Sequence, residues 1–352
     1  MLMIYGANGY TGALIARRAK ARGVAVVLAG RNQGALAALG AELDLPYRCF
    51  TLAGAGAGDA ELDGALRGMA AVLNCAGPFS ATAAPLVDGC LRARVHYLDI
   101  TGEVAVFEAL SARHGEAIAA GITVLPGAGF DVVPSDCLAA HVKQVLPSAT
   151  HLVLAFRTSS RMSHGTAVTA IDQAHAGGLI RRDGQLVRVP AGWRTRSVDF
   201  GDGAEKAISI PWGDVATAYH TTGIGNIEVY IGVPLAVRTA TRATRLLAPL
   251  LASDGVRQFL RARVQRRPPG PTAQQRARGQ SRLWAEARDA AGRVARARLR
   301  APEAYELTTW TALELAERAA RGDLPRGFQT PARACGADFV LSFPGVERLD
   351  VA

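Results

Sequence analysis

Three glycines near the amino terminus have the spacing of a phosphate-binding turn. Residues 2–5 form a short apolar stretch that predicts a strand, and a helical pattern runs from residue 11 to about residue 22. Between them, Gly6 permits a tight turn, Gly9 lets backbone N–H groups approach a pyrophosphate, and Gly12 lets helix and strand pack closely. The positive end of the helix dipole then faces the phosphates. We therefore expect a dinucleotide-binding turn, with a plain strand–helix turn as the alternative.

The residues after the second predicted strand, 24–29, indicate which dinucleotide binds. A NAD-preferring site places an acid here to accept hydrogen bonds from the ribose hydroxyls. This chain has Arg31 and Asn32 instead, and its next acid is Glu42. A guanidinium suits a 2′-phosphate, so we expect NADP(H) to be preferred. A solvated arginine without a ligand is the alternative reading.

The first 126 residues alternate between apolar strands and helical patterns. The predicted strands are 2–5, 24–29, 46–52, 70–75, 96–99 and 122–125, and the predicted helices are 11–22, 33–43, 59–67, 81–93 and 104–119. Strands that are apolar on both faces, separated by helices, indicate a parallel sheet covered on both sides. We therefore predict an α/β fold with a Rossmann-type doubly wound sheet, whose ligands bind at the carboxyl ends of the strands.

Three further loops follow strands at that same edge: 74–79, 99–103 and 126–136. Their small and polar residues suit a backbone that passes close to a cofactor. Ser135 or Asp136 is expected to cap the helix that follows. The cofactor-binding residues predicted from all of these loops are Gly6, Asn8, Gly9, Tyr10, Thr11, Gly12, Arg31, Asn32, Cys75, Ala76, Gly77, Pro78, Thr101, Gly102, Gly129 and Phe130.

These loops, taken in order, resemble the saccharopine dehydrogenase-like family, and more closely its trans-acting enoyl reductase branch. The resemblance lies in residues 6–12, 30–32, 74–79, 96–103 and 129–136. It implies an NADP-binding Rossmann-type domain, a second mixed α/β domain and a cofactor cleft between the two. Such proteins often carry an acid near the adenine after the third strand, whereas this chain has a glycine–alanine run through Gly58 and only then Asp59.

Beyond residue 146 the pattern changes to hairpins. We predict a strand at 151–158, a helix from His164 to about residue 176 capped by Ser163, hairpins at 181–185 and 195–210, and a strand at 226–233. Clustered hairpins after a βα array predict a second mixed α/β domain with a largely antiparallel sheet. The expected domains are residues 1–130, which bind NADP, and residues 131–324, which bind substrate or a second subunit. Residues from about 325 to 352 are expected to pack back on the first domain.

The sequence identifies catalytic residues less clearly than cofactor-binding residues. His164 and Tyr219 are the predicted catalytic residues, because a histidine or a tyrosine can donate a proton while hydride arrives from a nicotinamide. Asp214, His220 and Tyr230 are weaker candidates, and a structural role is the alternative for all five.

Arginines are concentrated between residues 238 and 300, which hold 16 arginines and three acids, a net charge of +13 within a chain of +10. Arg238, Arg242 and Arg245 share a helix face, and Arg296, Arg298 and Arg300 alternate along a predicted strand. A solvated face is one reading. The other is a docking surface for an acidic carrier protein, a phosphopantetheine or coenzyme A tail, or an anionic membrane surface. Nucleic acid is disfavoured, because aromatic residues are not interleaved with the arginines.

The cysteine content and the distribution of apolar residues indicate whether the protein binds a metal, spans a membrane or is secreted. Five scattered cysteines without metal-ligand spacing favour reduced thiols and no metal site. The apolar stretch 231–252 is interrupted by arginines and makes a poor membrane span. We expect a cytoplasmic protein without a secretory segment, and a homodimer formed through an exposed sheet edge.

Three functions are compatible with these features. The first is an NADPH-dependent reductase of the C=C bond in an α,β-unsaturated acyl thioester, either free or tethered to a carrier. The second is a C=N reductase of the saccharopine-forming type, in which Arg157, Arg161 or Arg194 binds substrate carboxylates. The third is a non-catalytic NADP-binding protein that docks to a membrane or a partner.

Overall fold

The chain forms two units, and the computed structural model describes residues 1–52, 59–159, 161–174 and 176–351. The first unit comprises Met1–Val133 and Tyr305–Cys335, and the second comprises Pro134–Ala304 and Gly336–Ala352. The segment that returns to the first unit is therefore 305–335, whereas the sequence predicted about 325–352. The glycine–alanine run at 53–58, where we noted a departure from the family, lies outside the described residues.

A parallel sheet with helices in every connection between its first six strands makes up most of the first unit. Its elements are β1 (Leu2–Tyr5), α1 (Tyr10–Ala21), β2 (Val26–Gly30), α2 (Gln33–Leu43), β3 (Tyr47–Cys49), α3 (Ala60–Leu66), β4 (Ala71–Asn74), α4 (Phe79–Ala93), β5 (His96–Asp99), α5 (Val104–Ser111), α6 (His114–Ala120) and β6 (Thr123–Leu125). The spatial order β6-β5-β4-β1-β2-β3 is that of a doubly wound sheet. The predicted fold class is confirmed.

The second unit is built on a mixed sheet that is largely antiparallel. Its elements are α7 (Val133–Val145), β7 (His151–Thr158), α8 (His164–Gln173), β8 (Gly178–Arg182), β9 (Gln185–Val189), β10 (Thr195–Asp199), β11 (Ala204–Ser209), α9 (Asp214–Thr222), β12 (Asn226–Gly232), α10 (Leu235–Leu251), α11 (Asp254–Gln265), α12 (Ala273–Arg278), β13 (Gln280–Arg288) and β14 (Val294–Pro302). Strands β12 and β7 are parallel, and the other described pairs are antiparallel. The predicted hairpins are present, and Ser163 caps α8 by accepting from the Thr166 N–H.

The last 49 residues of the chain, from Ala304 onward, contribute elements to both units. Helix α13 (Ala304–Arg321), strand β15 (Gly327–Phe328) and helix α14 (Pro331–Cys335) follow, and β15 extends the first sheet beside β6. A 3₁₀ turn (Phe339–Ser342) then leads to β16 (Glu347–Val351), which pairs with β14 in the second sheet. The carboxyl-terminal residues thus form a strand of the second sheet, although the sequence suggested that they return to the first domain.

The start of α7 differs from the predicted cap. Helix α7 begins at Val133, so Ser135 and Asp136 lie in its first turn rather than before it. The Ser135 hydroxyl donates to Asp214 at 2.7 Å, and the Thr221 hydroxyl donates to Asp136 at 2.5 Å. Both residues are buried and join α7 to α9.

Helix α13 holds the loop that follows β6. The Phe130 N–H donates to the Thr308 hydroxyl oxygen at 2.9 Å, and the Thr311 hydroxyl donates to the Ala128 carbonyl at 2.8 Å. A Cβ added at Gly129 would lie 2.9 Å from Thr308 Cγ2, so this position has no room for a side chain. Among the described residues, no helix is both long enough and apolar enough to cross a bilayer.

Replacing Thr308 with valine tests this anchor. The change keeps the shape of the side chain but removes the acceptor of the buried Phe130 N–H, and we expect a loss of about 1–3 kcal/mol in the free energy of unfolding. Thr309→Val is the matched control, because the Thr309 hydroxyl donates to the Glu306 carbonyl one turn earlier in the same helix. The control should lose less than about 1 kcal/mol in urea denaturation. Equal losses in the two variants would contradict the assigned anchor.

Candidate functional site: the carboxyl edge of the parallel sheet

The glycine turn between β1 and α1 is packed too tightly to hold side chains. Gly6 has a φ of +79°, and a Cβ there would lie 2.8 Å from the backbone nitrogen of Ala76. A Cβ at Gly12 would lie 2.9 Å from the Cα of Ala7 and still closer to the Gly6 carbonyl oxygen. The Gly9 N–H donates to that same carbonyl at 3.0 Å, which closes the turn. Gly6 and Gly12 therefore have the steric basis that the sequence predicted, and the contact of Gly9 with a pyrophosphate stays a prediction.

Helix α1 differs from the next three helices in how it begins. The Asn32 side chain accepts from the Ala35 N–H at 3.0 Å, Asp59 accepts from the Leu62 N–H at 2.9 Å, and Glu103 accepts from two N–H groups at the start of α4. Helix α1 begins after Gly9 with no side-chain cap and no acid in its first turn. Its first N–H groups and the positive end of its dipole therefore suit an anionic ligand. The uncapped helix and the closed glycine turn fit a dinucleotide pyrophosphate.

Arg31 lies at the end of β2 with its side chain exposed. Burial raises the pKa of the neighbouring Tyr5 hydroxyl, and the positive charge of Arg31 opposes that rise. Within the described residues Arg31 has no ion-pair partner, so its guanidinium is available to a phosphate. Asn8 lies against Gly30, at 3.2 Å from where a Cβ would stand. Asn32 is already used as the cap of α2, which accounts for its side chain without a cofactor.

A buried network joins the ends of β4 and β5. Asn74 donates to the Tyr97 hydroxyl at 3.1 Å and accepts from the Ala76 N–H at 3.0 Å, and Tyr97 donates to Asp99 at 2.9 Å. Asp99 also accepts from the N–H groups of Thr101 and Gly127, at 3.0 and 2.9 Å. Burial raises the pKa of the Asp99 carboxyl to about 6, although its hydrogen bonds act in the opposite direction. One carboxyl thus fixes the loops after two strands.

The loop after β4 presents its backbone at the sheet edge. Gly77 and Pro78, joined by a cis peptide bond, are exposed, while Cys75 and Ala76 are half-buried. Burial, with a smaller contribution from Asp99, raises the pKa of the Cys75 thiol, which therefore stays protonated and is not a nucleophile. The Glu103 carboxylate, itself buried, holds the start of α4 through the N–H groups of Phe79 and Ser80, at 2.9 Å each.

The loops after β5 and β6 bring a further carboxyl to the same edge. A Cβ at Gly102 would lie 3.1 Å from Asp131 Oδ2. Burial raises the pKa of the Asp131 carboxyl to about 6, and the residue keeps some exposure to solvent. Thr101, Gly129 and Phe130 are buried and are occupied by the packing of these loops. Their part in cofactor binding stays a prediction.

Sequence reasoning missed Asp131, Glu103 and Thr308 as site residues. Glu103 lies in the loop 99–103 and Asp131 in the loop 126–136. A carboxylate in a loop that follows a strand was the sequence feature that could have indicated them. Thr308 lies 178 residues beyond the backbone N–H that it accepts from, and no local pattern points to it.

The predicted catalytic pair, His164 and Tyr219, lies in the second unit on different helices. The His164 Nε2–H donates to the Arg267 carbonyl at 2.7 Å, which fixes one ring nitrogen. Tyr219 stacks against Arg181, whose guanidinium carbon is 4.2 Å from the ring centroid. No described hydrogen bond or ring contact joins His164 to Tyr219, so the structure does not bring them together.

The other polar candidates of the second unit also have structural partners. Asp214 is buried and accepts from Ser135, and Tyr230 donates to Glu228 within β12. Burial, together with that glutamate, raises the pKa of the Tyr230 hydroxyl. A cavity of about 570 Å³ opens beside these strands, and its lining includes Arg182, Arg196 and Glu286. Leu152, Val153 and Ile227 also line it, so the lining combines charged and apolar side chains.

Ion pairs neutralise the arginines of the β13–β14 hairpin. Arg296 pairs with Glu286 at 2.7 Å, Arg298 with Asp199 at 2.6 Å, and Arg300 with Glu347 at 2.9 Å. Arg288 and Arg293 contact Glu286 and Asp289. The predicted face of Arg296, Arg298 and Arg300 is therefore internally compensated. In α10, Arg242 donates to the Thr195 hydroxyl oxygen at 2.7 Å, and the side chain of Arg245 lies outside the described part of the chain.

No group of three or more His, Cys, Asp or Glu residues in the described part of the chain could hold a metal ion. The features at the sheet edge are a glycine turn, an uncapped helix and a free guanidinium after the second strand. Together they define the first unit as a dinucleotide-binding domain of the doubly wound class.

Comparison with known proteins finds a family model that matches this domain. Residues 2–125 match the family model of the saccharopine dehydrogenase NADP binding domain. Over these residues the first unit is thus similar to the NADP-binding domain of that family, as the sequence resemblance implied. The predictions of an NADP(H) cofactor and of an oxidoreductase family are confirmed.

The same part of the chain is similar to named reductases. A trans-acting enoyl reductase of Mycobacterium leprae is 34% identical over 139 residues, which cover 38% of this chain and 33% of that protein. A trans-acting enoyl reductase of Mycobacterium tuberculosis is 32% identical over 142 residues, with the same coverage. The matched region thus spans about a third of the length of these curated relatives.

The fold as a whole has a solved counterpart. The apo form of saccharopine dehydrogenase (L-Glu forming) from Saccharomyces cerevisiae aligns with 100% of this chain and 99% of its own, with a TM-score of 0.67 and 10% identity. At that identity the likeness concerns the fold alone.

Removing the Arg31 guanidinium should weaken the binding of NADPH much more than the binding of NADH. We expect Arg31→Ala to weaken NADPH binding by roughly 10- to 100-fold, the value of one charge-assisted hydrogen bond, with little change for NADH. Fluorescence titration with both cofactors measures this difference. Arg67→Ala is the control, because Arg67 is also exposed in the first unit but precedes β4 at the opposite edge of the sheet. A similar loss for NADPH and NADH would exclude a contact between Arg31 and the 2′-phosphate.

The raised pKa of Asp131 predicts a dependence of stability on pH. Between about pH 4 and pH 6 the folded state binds more protons than the unfolded state, so stability falls as the pH rises. In the Asp131→Asn variant, the free energy of unfolding should decrease by up to about 3 kcal/mol less over this pH range. Urea denaturation at several pH values measures the difference. Asp202→Asn is the contrasting control, because a hydrogen bond from Arg157 lowers the pKa of Asp202. This variant should change the pH dependence of stability only below about pH 4. An unchanged slope in the Asp131 variant would contradict the assignment.

Proposed function

We propose that the protein is an NADPH-dependent reductase that adds hydride to the C=C bond of an α,β-unsaturated acyl thioester. The observation that carries the proposal is the uncapped start of α1 above a closed glycine turn, with the free guanidinium of Arg31 at the end of the next strand. Bound NADPH supplies the hydride for the β-carbon, and a proton is added at the α-carbon.

In this proposal the chain's own residues divide the work of binding and positioning. The N–H groups that begin α1 bind the pyrophosphate, and Arg31 binds the 2′-phosphate. Asp99 and Glu103 hold the loops after β4, β5 and β6 in place, so that the exposed backbone at Gly77 and Pro78 keeps one position. Asp131 is our candidate for the proton donor, because a half-buried carboxyl with a pKa of about 6 is partly protonated near neutral pH.

Two observations favour C=C over C=N reduction. The similar mycobacterial proteins are named trans-acting enoyl reductases, although the matched region is only about a third of their length. In addition, Arg157 contacts Asp202 and Glu205, and Arg194 pairs with Glu228 at 2.9 Å. Two of the three arginines proposed to bind the carboxylates of an imine substrate are thus already paired. The acyl chain is carried either by coenzyme A or by an acidic carrier protein.

Turnover with a panel of substrates tests the proposal. NADPH oxidation is followed by absorbance with 2-enoyl thioesters of several chain lengths, each supplied on coenzyme A and on an acyl carrier protein. Gly12→Ala should lower kcat/KM by roughly 100-fold, since displacement of a positioning loop by about 1 Å has that effect. Gly64→Ala, where a Cβ meets no atom within 4 Å, is the matched control and should retain full activity.

The other functions predict different results. Reduction of imines formed from an amino acid and an aldehyde, without reduction of enoyl thioesters, would assign the C=N chemistry. Tight NADPH binding without turnover of either substrate class would leave a non-catalytic NADP-binding protein.

A further inference from the structure

Helix α10 turns its apolar side away from the second unit. Its half-buried side chains include Arg238, Thr241 and Thr244, and Arg238 Nε is fully buried. Among its described side chains, the exposed ones are Thr239, Arg242 and a larger apolar set: Leu235, Ala236, Val237, Ala240, Ala243, Leu247 and Leu250. Surface helices normally bury the apolar face and expose the charged one. In the described part of α10 most apolar side chains are exposed instead, while Arg238 is half-buried.

The next helix extends the exposed apolar surface. Helix α11 packs against α8 and α10 and turns Val256, Leu260 and Val264 partly inward, while Phe259 is 64% exposed. Of the eleven large apolar side chains exposed in the described chain, five lie in the 25 residues from Leu235 to Phe259. Such a concentration marks an interaction surface, whereas single exposed apolar residues are ordinary.

The charge around this surface is strongly positive. Residues 235–279 contain ten arginines and one acid, Asp254. Arg263, Arg266 and Arg267 are exposed and, unlike the hairpin arginines, have no ion pair among the described residues. Phe259, Arg263 and Arg266 follow the i, i+4, i+7 spacing. The aromatic ring and the two guanidinium groups therefore lie on one side of α11, with Arg266 one residue beyond the end of the helix.

We propose that α10 and α11 bind an anionic lipid bilayer, with Leu235, Val237, Leu247, Leu250 and Phe259 entering the headgroup region and the arginines contacting lipid phosphates. We call these five side chains, together with Arg263, Arg266 and Arg267, the apolar–basic surface. Exposed leucine and phenylalanine beside unpaired arginines are the pattern of helices that lie in a membrane interface. The proposal is independent of the proposed reaction.

Charge decides between the bilayer and its competitors as occupants. A second copy of the chain would bring two strongly positive surfaces together, which repel each other unless anions intervene. An acidic protein would satisfy the arginines, but it would have to cover five large apolar side chains as well. An anionic bilayer offers a negative surface above an apolar interior and therefore complements both features.

Co-sedimentation of the full chain with lipid vesicles tests the proposal. Vesicles of phosphatidylcholine alone are compared with vesicles containing one quarter phosphatidylglycerol, at low and at physiological salt. We expect binding to the anionic vesicles that weakens as salt is added. Arg263→Gln with Arg266→Gln should lower the partition constant by roughly 30-fold, the value of two juxtamembrane arginines. Leu250→Gln with Phe259→Gln should lower binding at both salt concentrations.

Matched variants control for general effects of charge and polarity. Arg67→Gln with Arg94→Gln removes two exposed arginines from the first unit, and Ile118→Gln with Leu349→Gln removes two exposed apolar side chains elsewhere. Both control pairs should bind like the parent chain.

Three outcomes would overturn the proposal. One is the absence of binding to anionic vesicles at low salt. Another is a dimer in size-exclusion chromatography with light scattering that the Leu250/Phe259 variant abolishes while vesicle binding is unchanged, because the occupant would then be a second copy. The last is binding of a purified acidic acyl carrier protein that depends on Arg263 and Arg266 in a chain that does not sediment with vesicles.

Discussion

The first unit depends on one buried carboxyl, that of Asp99. It accepts hydrogen bonds from backbone N–H groups of the loops after β5 and β6. Through the Tyr97 hydroxyl it is also linked to Asn74 at the end of β4. Burying a carboxyl is unfavourable, as its raised pKa records, and these hydrogen bonds offset much of the cost. Three strand-end loops that surround the expected cofactor position are thereby held by one set of contacts. Glu103 adds the start of α4 to the same arrangement.

Local rules predicted most of this unit. The strands of the sheet are short and, apart from β3, mostly apolar, and helices connect them as a covered parallel sheet requires. The three glycines were readable because steric crowding leaves no alternative residue at Gly6 or Gly12. Asp99 lay in a recognised polar loop, but its link to the loop after β6 depends on Gly127, which is 28 residues away in sequence. The confirmed family match, which covers residues 2–125, coincides with the part of the chain whose structure is set locally.

The second unit was less predictable, because its structure depends on pairing between distant segments. Strand β16 joins β14 across about 50 residues, and the arginines of β14 find their acids on β13, on β16 and at the end of β10. An alternating arginine pattern in the sequence is the same whether its partners are water, lipid or carboxylates. His164 and Tyr219 were reasonable proton donors by type, but hydrogen bonding to Arg267 and stacking with Arg181 could not be read from their positions.

The distribution of ion pairs changes the meaning of the chain's net charge. The hairpin arginines are ion-paired within the second sheet, whereas Arg263, Arg266 and Arg267 in the segment 235–279 have no ion pair among the described residues. Most arginines there lie on α10, on α11 or just beyond, and those two helices also expose the largest cluster of apolar side chains in the described chain. Positive charge alone would be explained by solubility, and exposed leucines alone by a contact between protein subunits. Their coincidence on these two helices is the observation behind the proposed bilayer contact, since an anionic bilayer is both negative at its surface and apolar inside.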